Sequence, residues 1–355
     1  MPALSPARRF LRSGLVDLLV GPHGVDRYLE LIRPELTIRD ARARVLEVRH
    51  QTERSVTLTV RPNSAWSGFK AGQFIRVGVE IDGARRTRTY SPACSERLPD
   101  GLLELTVTMH PRGLVSRHLR RARPGTILHL GEAQGDFVLP QPRPRRLALI
   151  SGGSGITPVL SMLRTLIDEN HDGEIAFVHY ARTVADWLYA AEVHELAAQQ
   201  RNLRVDYVAT RQDGTHLSAR SIERLIGSLG DVHAAVCGPP SLIETVRAIW
   251  PDPELVLSES FTPPTLPTTT AASGTLTFMR SGQSVPIGSG TLLEQAEAAG
   301  LTPKFGCRMG ICHTCTCRKA AGAVRDVRTG QLLDEENEDV QLCISVPAGN
   351  VALEL

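Results

Sequence analysis

The stretch 305–317, FGCRMGICHTCTC, decides how the rest of the chain is interpreted. It contains Cys307, Cys312 and Cys315 in a CxxxxCxxC run, and Cys343 follows further along the chain. Thiolates this close together on a glycine-containing loop repel one another unless a metal takes up their charge. The run therefore predicts a bound metal and a compact domain built around it.

The cysteine spacing resembles that of plant-type [2Fe-2S] ferredoxins, in which four thiolates hold two irons. The resemblance implies that the four cysteines are the cluster ligands and that residues 274–355 have the β-grasp fold. Two other interpretations remain open at this stage. A zinc site usually has paired CxxC knuckles, and disulfides would be unusual in a long chain without a secretion signal.

Length and composition describe a globular protein of more than one domain. The 355 residues suggest two or three domains, and 42% hydrophobic with 22% charged residues is typical of soluble proteins. A formal net charge of +2 gives no reason to expect nucleic acid as a partner. No apolar run reaches the roughly 18 residues of a membrane span, and the N-terminal segment lacks the form of a signal peptide. We therefore expect a cytoplasmic protein.

Changes in composition divide the chain into five predicted segments. The Pro- and Thr-rich stretch TPPTLPTTTAASG cannot join a packed core and is typical of a linker. The stretch LPQPRPRR separates two different hydrophobic patterns. The predicted boundaries are an N-terminal segment at 1–37, a first domain at 38–141, a second at 142–262, the linker at 263–273 and a third domain at 274–355.

The first and second domains differ in hydrophobic period. Short alternating segments such as SVTLTVRP and GLLELTVTMH predict an antiparallel β-barrel in the first domain. In the second domain, apolar strands such as RRLALIS and EIAFVHY alternate with helical stretches, which predicts a doubly wound parallel sheet. The fold class is therefore multidomain, with β-barrel, α/β and β-grasp domains in that order.

A candidate ligand site in the first domain is the RxYS motif of RRTRTYSPA. Strand alternation puts Arg88 and Tyr90 on one face, where the guanidinium suits a phosphate and the phenol can stack on a ring beside the Ser91 hydroxyl. Gly113 and Ser116, in PRGLVSRHL, lie where a helix is predicted to begin. Amides at a helix start suit a pyrophosphate.

The succession of RxYS, GxxS and GDFVLP resembles the flavin domain of the ferredoxin-NADP reductase superfamily. The resemblance implies that the five residues named above bind a flavin, with Tyr90 and Ser91 against the reacting ring. It implies FAD as the cofactor. FMN, which occurs in the phthalate dioxygenase reductase branch, is the alternative.

The second domain carries two glycine turns at predicted strand ends. In GGSGITP, Gly152, Gly153 and Gly155 allow a dinucleotide phosphate to approach the backbone closely, and Thr157 is a predicted helix cap. The loop lacks the GxGxxG fingerprint of Rossmann folds. It resembles the pyridine-nucleotide loop of the same reductase superfamily, which implies that these four residues bind NAD(P)H.

The second turn, CGPPSLIETV, follows a later strand. Ligands bind at the carboxyl ends of strands in open parallel sheets. The resemblance implies that Cys237 lies near the nicotinamide and shapes the hydride path, with Gly238 and Pro239 in the same turn. The alternative for Cys237 is a buried small apolar residue. Phe261, after SES, is predicted to cover the flavin face until nicotinamide displaces it.

Arg182 and Arg211 follow the second and third strands of the predicted parallel sheet. A cation at either position could grip the extra phosphate of NADPH, and either could equally be a solvated loop residue. We expect NADPH as the reductant, with NADH as the alternative.

The three modules in this order resemble reductases that fuse a flavin and nicotinamide unit to a C-terminal ferredoxin. Nicotinamide gives up two electrons together, whereas a [2Fe-2S] cluster accepts one at a time, so a flavin is expected between them. The resemblance predicts an NAD(P)H-dependent electron-transfer reductase whose partner is an oxygenase. A redox sensor that uses the cluster without turnover is the rival, and the two glycine turns argue against it.

The N-terminal segment resembles that of reductases serving bacterial membrane fatty-acyl desaturases. The resemblance favours a membrane di-iron desaturase or hydroxylase as electron acceptor, and hence a role in fatty acid desaturation. Rieske-type ring-hydroxylating or ketosteroid oxygenases are the alternatives. Leu11, Leu15, Leu18 and Leu19 share one helical face close to arginines. Such a helix either packs on the barrel or makes a peripheral contact at the inner face of the cell membrane.

Overall fold

The computed structural model describes residues 24–33, 35–98, 100–111, 113–214, 216–261, 273–306, 308–310 and 313–355. It divides into two compact units, of which the first ends at Ser260 and the second begins at Phe261. The predicted leucine face at 11–19, most of the predicted linker, and both Cys307 and Cys312 lie outside the described residues. No helix in the described ranges is long and apolar enough to cross a bilayer.

The first unit begins with a helix and an antiparallel barrel. Helix α1 is Gly24–Ile32. The barrel strands are β1 Arg42–His50, β2 Ser55–Pro62, β3 Phe74–Ile81, β4 Ala84–Tyr90, β5 Leu103–Thr108 and β6 Ile127–Gln134, with helix α2, Leu114–Arg120, between the last two. Their order in the sheet is β4-β3-β6-β1-β2-β5. A bridge between Pro92 and Leu105 connects the chain after β4 to β5 at the opposite edge.

The alternation that predicts the barrel reflects the alternate packing of apolar side chains into its core. Along β2, Val56, Leu58 and Val60 are fully buried in the barrel core, and Ile75 and Val77 of β3 join them. Burial of such a side chain contributes roughly 1.5–3 kcal/mol. The predicted antiparallel barrel is confirmed.

A parallel sheet completes the first unit. Its strands are β7 Arg146–Gly152, β8 Glu174–Ala181, β9 Leu203–Ala209, β10 His233–Cys237 and β11 Val256–Glu259. The connecting helices are α3 Ile156–Asp168, α4 Ala190–Gln199, α5 Thr210–Asp213, α6 Ala219–Ile226 and α7 Pro240–Ile249. The strand order β11-β10-β7-β8-β9 reverses direction between β7 and β10. Such a reversal opens a crevice at the carboxyl ends of the two strands, and the doubly wound sheet is confirmed.

The second unit is a mixed sheet with one described helix. The strands are β12 Thr275–Phe278, β13 Gln283–Pro286, β14 Thr316–Asp326, β15 Leu332–Leu333, β16 Glu338–Gln341 and β17 Ser345–Leu353, and helix α8 is Leu292–Ala298. β12 and β13 form an antiparallel hairpin, and β17 closes the sheet parallel to β12. Thr291 and Glu294 cap α8 reciprocally. The arrangement is the predicted β-grasp domain.

Candidate functional site

The predicted flavin residues lie at the end of β4. Arg88 pairs with Val77 and Tyr90 with Ile75 on β3, so the two side chains share a face as predicted. Arg88 is exposed, its Nη1 donates to Thr87 O at 2.8 Å, and no carboxylate of the described residues pairs with it. Burial raises the pKa of the Tyr90 phenol, so this side chain is neutral. The pair therefore offers a free cation beside an uncharged ring.

Ser91 tests whether a flavin fits this site. The residue is 3% exposed, and its Oγ is buried without a hydrogen-bond partner in the described part of the chain. A buried polar atom left in this way costs about 1–3 kcal/mol. A polar atom of a bound molecule would remove that cost, so the residues at the end of β4 fit a flavin.

Gly113 and Ser116 form one tight turn at the start of α2. Ser116 Oγ accepts a hydrogen bond from His110 N at 3.1 Å, and Gly113 is the N-cap residue of the helix. A Cβ at position 113 would lie 2.5 Å from Ser116 Oγ, so a larger residue there would displace the Ser116 hydroxyl. The two predicted residues therefore lie together, and their binding of a pyrophosphate stays a prediction.

The two glycine turns of the second domain meet at the switch point between β7 and β10. A Cβ on Gly155 would lie 2.3 Å from Cys237 O, and one on Gly152 would lie 2.9 Å from Pro239 Cδ. Gly153 differs, because its φ is 56° and a Cβ there would meet nothing within 4 Å. Gly152 and Gly155 thus permit close packing of the turns, whereas Gly153 leaves open space that suits an approaching phosphate. The site fits a dinucleotide.

Thr157 does not cap the following helix, so that prediction is wrong. Helix α3 begins at Ile156 with Gly155 as its N-cap, after a 3-10 turn at Gly153–Gly155. Thr157 is already inside the helix, and its hydroxyl donates back to Ser154 O at 3.3 Å. The tight turn brings the chain into helical geometry before Thr157 is reached. A contact between Thr157 and the nucleotide stays a prediction.

A row of polar side chains crosses the sheet beside these turns. Cys237 pairs in register with Glu259 on β11 and with Ser151 on β7, and Ser151 pairs with His179 on β8. Cys237 is fully buried, and burial together with the Glu259 charge raises the pKa of its thiol. A neutral thiol suits a role in shaping the site and not one as nucleophile. Gly238, next in the turn, donates its amide to Glu259 O at 3.3 Å.

His179 lies at the β8 end of this row. Its Nδ1 is 2.9 Å from Ser151 Oγ, and burial lowers the pKa of its imidazole to about 3. The ring is therefore neutral at physiological pH. The imidazole holds the Ser151 hydroxyl, directly before the nucleotide loop, by a buried hydrogen bond. Because the ring stays neutral, it is not expected to exchange protons with solvent.

Sequence reasoning missed Glu259, which is only 8% exposed and lies beside the Cys237 thiol. The available signal was its position in SES, at the carboxyl end of the last predicted strand, where ligands of parallel sheets bind. Phe261, two residues further, is half-buried. Its predicted contact with the flavin ring stays a prediction.

The structure brings Arg182 and Arg211 together. The Arg211 amide donates to Arg182 O at 3.0 Å, both side chains are exposed, and no described carboxylate pairs with either. A cavity of about 480 Å³ near the carboxyl ends of β8 and β9 is lined in part by His216, Ser218 and Arg220. Sequence reasoning missed Arg220 as a candidate for phosphate binding. The available signal was its basic side chain, which follows the QDG turn shortly after the third strand of the sheet. Each of the three arginines can donate to a phosphate. Only Arg220 of the three lines the cavity, together with the carboxylates of Asp206 and Glu223.

In the second unit, the described cysteines of the cluster motif lie in one core. Cys315 and Cys343 are 3% and 5% exposed and belong to the same hydrophobic cluster. Leu342 N donates to Cys315 O at 3.2 Å, so the residue before Cys343 is bonded to Cys315. Two of the four predicted ligands are therefore close neighbours.

The described residues of the motif loop include one that packs next to Cys343. Arg308, Gly310 and His313 all have positive φ, at 59°, 73° and 50°, which non-glycine residues adopt rarely. A Cβ on Gly310 would lie 2.6 Å from Ile344 Cδ1, so the loop packs on the residue after Cys343. Buried thiols around such a loop fit an iron–sulfur cluster.

Comparisons with known proteins agree with this arrangement. An oxidoreductase FAD-binding domain family matches residues 45–138, an oxidoreductase NAD-binding domain family matches 149–248, and a 2Fe-2S iron-sulfur cluster binding domain family matches 277–348. A solved structure of phthalate dioxygenase reductase, described as modular for electron transfer from pyridine nucleotides to [2Fe-2S], aligns with a TM-score of 0.61 at 21% identity. The alignment covers 88% of this chain and 97% of that one, which supports the fold.

Two curated relatives extend over most of the chain. An NADPH oxidoreductase of Mycobacterium tuberculosis is 38% identical over 339 residues, which cover 93% of this chain and 88% of the relative. A glycine betaine monooxygenase reductase subunit of Chromohalobacter salexigens is 28% identical over 321 residues, which cover 81% of this chain and 87% of the relative.

The fold and the site define a class: an oxidoreductase with FAD-binding, NAD-binding and [2Fe-2S] domains in one chain. The chain belongs to the ferredoxin-NADP reductase superfamily, as a member fused to a C-terminal [2Fe-2S] ferredoxin domain.

Proposed function

We propose that the chain takes hydride from NADPH and passes the electrons singly, by way of the flavin and the cluster, to a partner oxygenase. The observation that carries the proposal is the presence of all three domains in one chain. The similarity to a reductase subunit of a monooxygenase supports an oxygenase as acceptor. A bound flavin supplies the conversion of paired into single electrons.

The chain's own residues hold and orient the groups. Arg88, with the turn of Gly113 and Ser116, holds the flavin phosphates, while Tyr90 and Ser91 hold its ring. The four motif cysteines hold the cluster. The open backbone at Gly153 receives the nucleotide phosphates beside Gly152, Gly155 and Thr157. The neutral Cys237, with Gly238 and Pro239, would line the nicotinamide side of the crevice.

The preference for NADPH comes from three arginines. Arg182, Arg211 and Arg220 are exposed, and none of them pairs with a carboxylate within the described ranges. Each can donate charge-assisted hydrogen bonds to a 2′-phosphate. The name of the 38% identical relative, an NADPH oxidoreductase, supports the same choice.

Anaerobic reduction of cytochrome c tests the proposed function and the nucleotide preference together. The purified holoprotein is expected to reduce cytochrome c continuously with NADPH, with a kcat/KM at least roughly tenfold higher than with NADH, since one lost charge-assisted hydrogen bond costs about 1.5–3 kcal/mol. Rapid turnover excludes the rival function of a redox sensor. A protein whose flavin and cluster are reduced once without sustained turnover would refute the reductase proposal, and a higher kcat/KM for NADH would refute the nucleotide preference.

For the acceptor we propose more narrowly a membrane di-iron fatty-acyl desaturase or hydroxylase. The supporting observation is that Leu31 and Ile32, at the end of α1, are 76% and 73% exposed. Large apolar side chains next to each other on a surface favour contact with lipid or with another protein. A peripheral position at the membrane follows from this proposal. A soluble Rieske-type oxygenase is the alternative, which the monooxygenase relative favours.

Vesicle co-sedimentation distinguishes these acceptor classes. The full chain is expected to sediment with anionic phospholipid vesicles, and a Leu31→Ser, Ile32→Ser double variant is expected to stay mostly in the supernatant because apolar contact with lipid is lost. Leu332→Ser, which removes an exposed leucine of the second unit, is the matched control and should sediment like the unchanged chain. Recovery of all three proteins in the supernatant would contradict the membrane proposal.

A further inference from the structure

Tyr189 is a residue of the nucleotide domain whose side chain lies against the flavin barrel. It immediately precedes α4, is only 4% exposed, and has left-handed backbone angles, with φ 58° and ψ 17°. A bulky residue rarely adopts this conformation, because it costs free energy that surrounding contacts must offset. The contacts of Tyr189 therefore have to be strong.

The Tyr189 hydroxyl joins a pair of barrel threonines. It lies 3.3 Å from Thr57 Oγ1 and also bonds Thr106 Oγ1, and the two threonine hydroxyls bond each other at 2.7 Å. Thr57 and Thr106 face each other on β2 and β5, and their neighbours Leu58 and Leu105 point into the barrel core. The threonines thus belong to the outer barrel face, and Tyr189 covers them.

Arg164 holds the Tyr189 ring from the nucleotide side. Its guanidinium carbon is 5.3 Å from the ring centroid, within the range of a cation–π interaction. Arg164, on α3, donates to Glu104 of the barrel at 3.0 Å and to Glu192 of α4 at 2.5 Å. Burial opposes its charge, but Glu104 and Glu192 outweigh that effect and raise the pKa of Arg164. It therefore stays a cation that ties both domains together.

The same helix connects the two predicted sites. Helix α3 begins at the nucleotide loop, and three of its side chains bond the segment directly after Ser91. Ser161 Oγ donates to Cys94 O at 2.7 Å, Arg164 donates to Ala93 O at 2.8 Å, and Thr165 Oγ1 accepts from Glu96 N at 3.0 Å.

Thr106, the barrel threonine that bonds Tyr189, is also connected to the segment after Ser91. Thr106 follows Leu105, which bridges to Pro92, the residue next to Ser91. Helix α3 therefore holds the segment after Ser91 directly, while Tyr189 holds β5, the strand that bridges to this segment, and together they fix its position relative to the nucleotide loop.

We propose that Tyr189, with Arg164 beside it, is a positioning residue for hydride transfer between the nucleotide and the flavin. In that step one hydride, with its two electrons, leaves NADPH and is accepted by the flavin, which gives NADP+ and reduced flavin. The contacts of Tyr189 are to protein groups of the two domains. Tyr189 sets the distance and angle between the two sites, to which the rate of the step is sensitive. The inference rests on the proposed hydride route but not on the identity of the acceptor.

Anaerobic stopped-flow reduction of the holoprotein by NADPH tests the inference. Tyr189→Phe keeps the ring and removes only the hydroxyl, and Thr106→Val removes the barrel partner. Each is expected to lower the flavin reduction rate at saturating NADPH by roughly tenfold, with flavin content and the Kd for NADPH unchanged. The double variant should be no slower than the slower single variant, because both changes remove one shared contact.

Trp250→Phe is the matched control. It removes a buried hydrogen bond within the nucleotide domain, from Trp250 Nε1 to Val232 O at 2.8 Å, without touching the barrel contact. This variant is expected to lower Tm yet keep the reduction rate. The inference is overturned if flavin in Tyr189→Phe is reduced at the unchanged rate, or if Trp250→Phe slows flavin reduction as much as Tyr189→Phe does. It is also overturned if the fold-loss of the double variant equals the product of the fold-losses of Tyr189→Phe and Thr106→Val. Failure of the proposed function would differ, because NADPH would then not reduce the flavin of the unchanged protein.

Discussion

Replacing Cys343 by serine is expected to stop electron transfer to cytochrome c while NADPH still reduces the flavin. Serine offers a harder oxygen in place of the soft thiolate that iron–sulfur clusters select. We expect the visible absorption of the cluster and its EPR signal in the reduced state to disappear. Cytochrome c reduction should fall by more than about 100-fold. Mutation of residues that only support a metal ligand already costs up to about 100-fold, and Cys343 is a predicted ligand itself. Ferricyanide, which can take electrons from flavin, should still be reduced.

Cys317→Ser is the control for this prediction. Cys317 is 9% exposed, lies in the same core cluster as Cys315 and Cys343, and donates a weak hydrogen bond from Sγ to Arg318 O at 3.6 Å. The same chemical change in the same core is therefore expected to leave the cluster and cytochrome c reduction intact. If Cys317→Ser removes the cluster and Cys343→Ser retains it, the proposed ligand set is wrong. Equal loss of ferricyanide and cytochrome c reduction in Cys343→Ser would contradict the order of flavin before cluster.

The sequence predicts the elements of the second unit well because each carries a local signal. The hairpin of β12 and β13, helix α8 and the closing strand β17 all follow from short-range pattern. Lys319 has no such signal. It is fully buried in β14, where its Nζ donates to Gly322 O at 2.7 Å. Burial of a lysine depends on carbonyl groups supplied by the folded chain, which periodicity does not encode.

The same distinction applies to the candidate site in the first unit. Strand alternation places Arg88 and Tyr90 on one face, and glycine turns at strand ends identify both nucleotide loops. The contact of Tyr189 with Thr57 and Thr106 joins residues far apart in sequence, so no local pattern predicts it. Sequence motifs thus locate the binding residues of each domain, whereas the residues that fix one domain on the other emerge only from tertiary packing.

Gly155→Ala is expected to remove most NADPH-driven flavin reduction while the flavin stays bound. The new Cβ would lie 2.3 Å from Cys237 O and 2.6 Å from the Cys237 carbonyl carbon, and both belong to backbone that cannot rotate away. Relief of the clash must separate the glycine loop from the β10 turn, at a cost of about 1–3 kcal/mol typical of overpacking. A displacement of ~1 Å between positioned groups can slow a reaction roughly 100-fold. We expect a loss of that size in the stopped-flow rate with NADPH.

Dithionite reduction separates loss of the nucleotide site from loss of the fold. Dithionite needs no nucleotide crevice, so it should reduce the flavin of Gly155→Ala as it does in the unchanged protein. Gly230→Ala is the control within the same domain, because a Cβ there would meet nothing within 4 Å, and it should keep the NADPH rate. An unchanged NADPH rate in Gly155→Ala would mean that the packing of the two turns does not set the nucleotide's position. Loss of flavin from that variant would show that this packing supports the whole first unit and not the nucleotide crevice alone.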